Sequence, residues 1–128
     1  MGSRDYSFAY SACPEQVDVP FSFAPNGASA VDQTTIKGRN RAVLSVTRSN
    51  VGVYDVVFRD VFDDLVTFIP SLQLAADADA AISSWTFVPA TRTLTLRART
   101  AGAAAEIAAN AANRVGGVCI FRNTKVGY

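Results

Sequence analysis

Histidine is missing altogether from this 128-residue chain. Its absence removes the commonest general base, the Ser-His-acid and Cys-His nucleophile pairs, and the usual zinc ligand sets. Cysteine is scarce: Cys13 and Cys119 lie too far apart for a local thiolate metal motif. One pair makes no disulfide framework, although the two could meet in space. No glycines have the GxGxxG, Walker A or kinase-loop spacing that cradles phosphate. Neither charge sign dominates, with 12 basic residues interleaved among 11 acidic ones. That balance argues against a nucleic-acid partner, which needs a one-signed face to neutralise phosphates. No apolar run approaches the roughly 20 residues of a transmembrane helix. The opening MGSRDYSFAYS is polar and lacks the apolar stretch of a secretory signal. A soluble chain with reduced cysteines is expected, with no metal, no cofactor, and neither membrane nor nucleic acid as a partner.

What is present is apolar but small. Alanine supplies the largest share of the hydrophobic residues, so the weight of the core falls on eight Phe, four Tyr and Trp85. A chain of this length buries roughly two thirds of its unfolded surface and forms one domain without a staple. A thin core favours assembly with copies or partners, because anything that binds the folded state stabilises it by mass action. Ten of the basic residues are arginine, whose planar fork suits carboxylates and rings; codon usage in a GC-rich genome would raise Arg and Ala equally.

Residues 1–15 read as an extended arm without an overall period, followed by a single β-domain over 16–128. QVDVPFSFAP (16–25) alternates, with Val17, Val19, Phe21 and Phe23 on one face, and Pro20 restricts it to a sheet edge or a bulge. Asn26-Gly27 marks a tight turn, and the segment to residue 40 reads as polar loop. RAVLSVTRSNVGVYDVVF (41–58) reads as a hairpin with Leu44 and Val46 on one face of its first strand and Tyr54, Val56 and Phe58 on one face of its second. After the acidic break DVFDDL, the residues Val66, Phe68, Leu72 and Leu74 continue in even register through Pro70. AADADAA (75–81) reads as a connecting loop. SSWTFVPATRTLTLRART (83–100) is a second hairpin turning at VPAT, with Leu94, Leu96 and Ala98 opposite Thr93, Thr95, Arg97 and Arg99. GGVCIFRN (116–123) is apolar throughout and reads as a last strand buried on both sides. AGAAAEIAANAANR (101–114) has high helix propensity but only Ile107 to dock it. Six to eight antiparallel strands add up to an all-β fold, a small β-sandwich or barrel.

Without histidine, paired carboxylates are the remaining catalytic option. Asp60, Asp63 and Asp64 cluster in the acidic turn, and Asp77 and Asp79 in the following loop. All five stand in small-residue, solvent-like contexts that would not raise a pKa for acid catalysis. The same acids lack the spacing and ligand number of a calcium loop. Trp85 and Phe87 could stack a sugar, but a lone Trp is read as core. The chain is therefore expected not to be an enzyme.

The order FSFAPNGAS…IKG…VLSVTRSNVGVYDVVFRDVFDDLV, followed by WTFVPATRTLTLRARTAGAAAEIAANAANRVGGVCIFRNT, resembles small virion proteins of tailed bacteriophages, of the capsid decoration or cement type. The matching residues are 45–48, 52–58, 94–102 and 114–123, within a likeness that covers about residues 21–124. The resemblance implies a β-sandwich or barrel subunit, a homotrimer, that binds the major capsid protein on the outer capsid surface after synthesis in the host cytoplasm. Related chains are also described as tail or fibre components, which keeps a tail-associated module binding a receptor or glycan as the alternative. The Ala-rich stretch falls where such chains carry a loop, although it lacks their proline, so its conformation stays open between helix and loop. The arm, with Tyr6, Phe8 and Tyr10, and the acidic turn, with Asp60, Asp63 and Asp64, are the expected contact segments; adding a strand to a partner's sheet edge is a natural mode for such an arm.

Overall fold

Period-two alternation, not helix propensity, decides the architecture. A computed structural model describes residues 16–38, 42–76, 79–110 and 112–122. Eight strands lie within them: β1 (Gln16–Phe23), β2 (Val43–Asn50), β3 (Val53–Phe58), β4 (Asp64–Gln73), β5 (Ala80–Val88), β6 (Thr93–Thr100), β7 (Ala103–Ala104) and β8 (Arg114–Arg122). They pair antiparallel in two sheets, one ordered β1-β8-β4 and the other β2-β3-β6-β5, with β7 beside the far end of β6. The fold is an all-β sandwich, and the inward residues of both sheets form its core.

Phenylalanine carries that core, as the composition predicts. Phe58 of β3 lies 5.0 Å by ring centroids from Phe121 of β8 and 6.0 Å from Phe21 of β1, both edge-on across the sheets. Phe62, in the link from β3 to β4, stacks on Phe121 at 4.1 Å and closes one end. Tyr54, Val56, Leu94 and Leu96 are wholly buried from the second sheet. Seven buried aromatic rings give this thin, Ala-rich chain the buried area that Leu and Ile supply elsewhere, each ring burying on the order of 150–250 Å².

Proline and glycine mark the margins and the pinch of the β1-β8-β4 sheet. Pro20 and Pro70 stand in β1 and β4, its two outer strands, where a missing N–H can face away from the ladder. Between them β8 carries Gly116 and Gly117. A Cβ at Gly116 would stand 2.6 Å from Ser22 Cα in β1, and one at Gly117 2.7 Å from the Phe68 ring in β4. Gly117 also has φ of +152°. The central strand is squeezed by both neighbours at this point, and only glycine fits.

Bulges shift two of the expected inward positions. One between Val43 and Ser45 turns Leu44 to solvent and brings Val43 and Val46 inside, so Leu44 and Val46 do not share a face. Another between Leu65 and Thr67 turns Val66 outward and packs Leu65 against the core, while Phe68 stays inside and Leu72 and Leu74 are half-buried. Trp85, expected in the core, is 36 % exposed. It faces inward opposite Leu96 and meets the Phe68 ring edge-on at 5.3 Å, but β5 is the outer strand of its sheet, which leaves the indole partly uncovered at the sheet margin. Residues 101–114 give only the two-residue β7, loop, and the first residue of β8 among the described residues, because a run of alanines offers no apolar stripe to dock a helix.

Candidate functional site

No group of three or more His, Cys, Asp or Glu converges among the described residues. Asp60 and Asp64 are exposed on either side of half-buried Asp63. Asp64 caps its own strand by accepting from the Leu65 N–H at 2.9 Å, and the Asp63 backbone N–H donates to the Arg122 carbonyl at 3.0 Å. Asp55 accepts from the Thr95 hydroxyl at 2.8 Å on the outer face of the second sheet. Asp79 is exposed and Asp77 lies outside the described residues, as do Tyr6, Phe8, Tyr10 and Cys13. Cys119 is a free thiol inside the core, and desolvation pushes its pKa up to about 12, far from a reactive thiolate.

Two surface features stand out instead, and both belong to the β1-β8-β4 sheet. The first is its outer face. Inward residues Cys119 and Phe121 of β8 are wholly buried, so by alternation Val118 and Ile120 point outward. Val118 stands opposite Ile69 of β4, and Ile120 opposite Thr67. Ile69 is 57 % and Val66 46 % exposed, while Val118 and Ile120 are half-buried. The expectation of a last strand buried on both sides is therefore corrected: β8 has one covered face and one apolar face left open. That second apolar set is the signal in GGVCIFRN that was legible but assigned to burial.

The second feature is a groove along β1, about 670 Å³ in volume, floored by Val17, Val19, Phe21, Ala42 and Phe62. Lys37 and two acids, Asp18 and Asp60, stand at it. Of the acidic turn, it is thus Asp60 that comes beside the strand where the N-terminal arm begins. The groove follows a sheet edge. Ser22 exchanges both backbone hydrogen bonds with Lys37, at 3.3 and 2.7 Å, on the side away from β8. Alternation then aims the N–H and C=O of Asp18, and the C=O of Pro20, to that same side.

A third cluster is structural. The Glu106 carboxylate accepts from Arg48 Nε at 2.6 Å and from the buried Gly52 N–H at 2.6 Å, tying the Ala-rich loop to the β2-β3 turn. Tyr54 lies nearby with a buried hydroxyl that makes no well-aligned hydrogen bond, although the Ile107 backbone amide stands beside it. Burial, and next the Glu106 charge, raise the Tyr54 pKa above that of a free phenol. Sequence reasoning passed over Glu106, the single acid in an alanine run, although a lone charge there needs a partner to explain it.

No protein-family model, curated protein or solved structure matches this chain.

Proposed function

We propose that this protein is a structural virion protein of a tailed bacteriophage, which decorates the outer surface of the capsid as a homotrimer and stabilises the lattice of major capsid protein. The observation that carries the reading is the open apolar face of Ile69, Val66, Val118 and Ile120 on a sandwich whose inner face is already complete. Contiguous apolar surface of this kind, bordered by polar residues, marks protein contact. The resemblance of its hairpins to those of small bacteriophage virion proteins supports the class of particle proposed. Binding energy spread over subunit borders raises the work needed to rupture the shell.

Capsids assembled without the protein should rupture at lower temperature and milder osmotic shock, and adding the purified chain should restore them. The doubly substituted chain Val66→Lys/Ile69→Lys should fold and fail to restore them. Capsids equally robust with and without the protein would end this reading. Exposure of Trp85 at the sheet margin favours one rival, a tail- or fibre-borne module that stacks a sugar ring. Glycan-dependent quenching of Trp85 fluorescence, lost in Trp85→Ala, would support the rival; an unchanged spectrum across a glycan panel would remove it.

A further inference from the structure

The geometry points to an exchanged strand: residues 6–10 of a second copy of this chain pair with the free edge of β1 and lay their aromatic side chains in the groove beside it. It deepens the self-association in the virion reading and needs no capsid.

Three observations on this edge converge. The first is backbone chemistry. Among the described residues β1 is paired with β8 on one side only, and its other side has no strand partner from Gln16 to Phe21 before the Ser22–Lys37 bridge closes it. An open edge next to an apolar groove is the combination that strand addition uses: main-chain bonds hold the incoming strand and pockets take its alternate side chains. The second is pattern. Although the arm as a whole has no period, Tyr6, Phe8 and Tyr10 alternate with Ser7 and Ala9. All three aromatics therefore fall on one face of an extended strand, with small residues on the other. Three such rings remove on the order of 150–250 Å² each from water when buried. The third is length. Five residues at about 3.3 Å each match an open edge of comparable length.

The arm's own β1 is a poor receiver. For Tyr6 and Phe8 to face the groove in cis, they stand opposite either Val19 and Val17 or Phe21 and Val19, which leaves residues 11–14 or 12–15 as a four-residue hairpin loop. Loops of that length are mostly built around a type I turn with helical central residues. A proline at position 14 disfavours the helical region for the residue before it and restricts its own φ to about −65°. Either loop is thereby disfavoured, which leaves a neighbour's edge as the better receiver. Each copy then gives one strand and takes one, a heterologous contact that closes into a ring when the rotation allows.

Purified full-length protein, free of capsids, tests this. Sedimentation velocity should show an oligomer that dissociates on dilution. The donor lesion Tyr6→Ser/Phe8→Ser/Tyr10→Ser should weaken assembly at least tenfold in concentration. The receiver lesion Asp18→Pro removes the edge N–H on the side away from β8, where Pro20 already stands, and should weaken it similarly. Mixed together, the two lesion proteins should recover one donor–receiver contact and form a heterodimer, which neither forms alone. Should Asp18→Pro fail to fold, a peptide of residues 4–12 titrated onto the donor-lesion protein should slow hydrogen exchange at Asp18. A wild-type chain that is monomeric at high micromolar concentration overturns the inference. So does assembly indifferent to both lesions, and so does Asp18 protection that persists at any dilution, the mark of a strand docked in its own chain. Failure to bind capsids would bear on the virion reading alone.

Discussion

Removing the Glu106 carboxylate should cost this fold about 2–3 kcal/mol, and the cost should come from the orphaned Gly52 N–H more than from the broken ion pair. Gly52 is buried, has φ of +65°, and sits so tightly that a Cβ would stand 2.6 Å from the Ala105 carbonyl and 2.7 Å from that of Ala98. Water cannot easily replace the lost acceptor there. A buried donor left unsatisfied costs about 1–3 kcal/mol. The Arg48–Glu106 pair, with both side chains about one fifth exposed (21 and 22 %), contributes less, on the order of 0.2–1 kcal/mol. Glu106→Ala loses both; Glu106→Gln keeps an amide oxygen for Gly52 and gives up only the charge, so it should cost about 1 kcal/mol or less. In urea, at a slope of about 1–3 kcal/mol per molar, the alanine variant should unfold about 1–2 M earlier than wild type with an unchanged slope. An Arg48→Met/Glu106→Ala cycle isolates the ion-pair share. If glutamine costs as much as alanine, the charge holds the clamp and the reasoning about the donor is wrong; if alanine costs under about 0.5 kcal/mol, a level ordinary for surface changes, the clamp contributes nothing.

Three other outcomes follow from the same structure. Tyr54→Phe removes a buried hydroxyl that makes no well-aligned hydrogen bond, with the Ile107 backbone amide beside it, so thermal or urea unfolding should show it neutral or more stable by up to about 1 kcal/mol, whereas a loss of about 1 kcal/mol or more would show that the Ile107 amide bonds the hydroxyl. Cys119 keeps its proton in the fold to about pH 12 and loses it near pH 9 when unfolded; the unfolded state binds fewer protons in that window, so stability should fall by about 1.4 kcal/mol per unit between those values, and Cys119→Ala should flatten the fall. Gly117→Ala places a methyl against Phe68 and the Ile69 carbonyl at positive φ, and should cost about 2 kcal/mol or more by denaturation, with Gly27→Ala, which meets nothing within 4 Å, costing less.

How far the sequence could be read depended on whether side-chain alternation survived the backbone. In β3, Tyr54, Val56 and Phe58 kept a strict period of two and all three are wholly buried; the same holds for Leu94 and Leu96 in β6. Where a bulge inserts one residue, alternation before and after it disagree, and nothing in VLSV or LVTF announces the extra residue. That is why Leu44 and Val66 were assigned to the wrong face. Trp85 failed for another reason. Its inward direction followed from the register, but its exposure depends on β5 being the last strand of its sheet, a property of sheet order that no local pattern encodes. The groove beside β1 is of the same kind, since it is made by Val17 and Phe21 meeting Ala42 and Phe62 from distant parts of the chain.

The open apolar face poses the remaining physical question, because folding alone gives no reason for it. An isoleucine that is 57 % exposed gains little from the fold that threonine would not supply, since β-branching suits a pleated surface in either residue. Leaving Ile69 and Val66 in water beside half-buried Val118 and Ile120 adds an association hazard, which sheets usually blunt with charge. The second sheet of this same molecule also exposes apolar residues, Leu44 at 41 % and Val88 at 45 %, but it sets polar and charged groups among them, with Thr95 bonded to Asp55 and Arg97 and Arg99 pointing to solvent. On the first sheet Ile69 stands directly opposite Val118, an apolar pair across two strands with no charge in it. The two outer faces differ in how far charge breaks up the apolar surface, and the less interrupted one is the better candidate for a contact. That difference is why the adhesive role toward a lattice is placed on the β1-β8-β4 sheet.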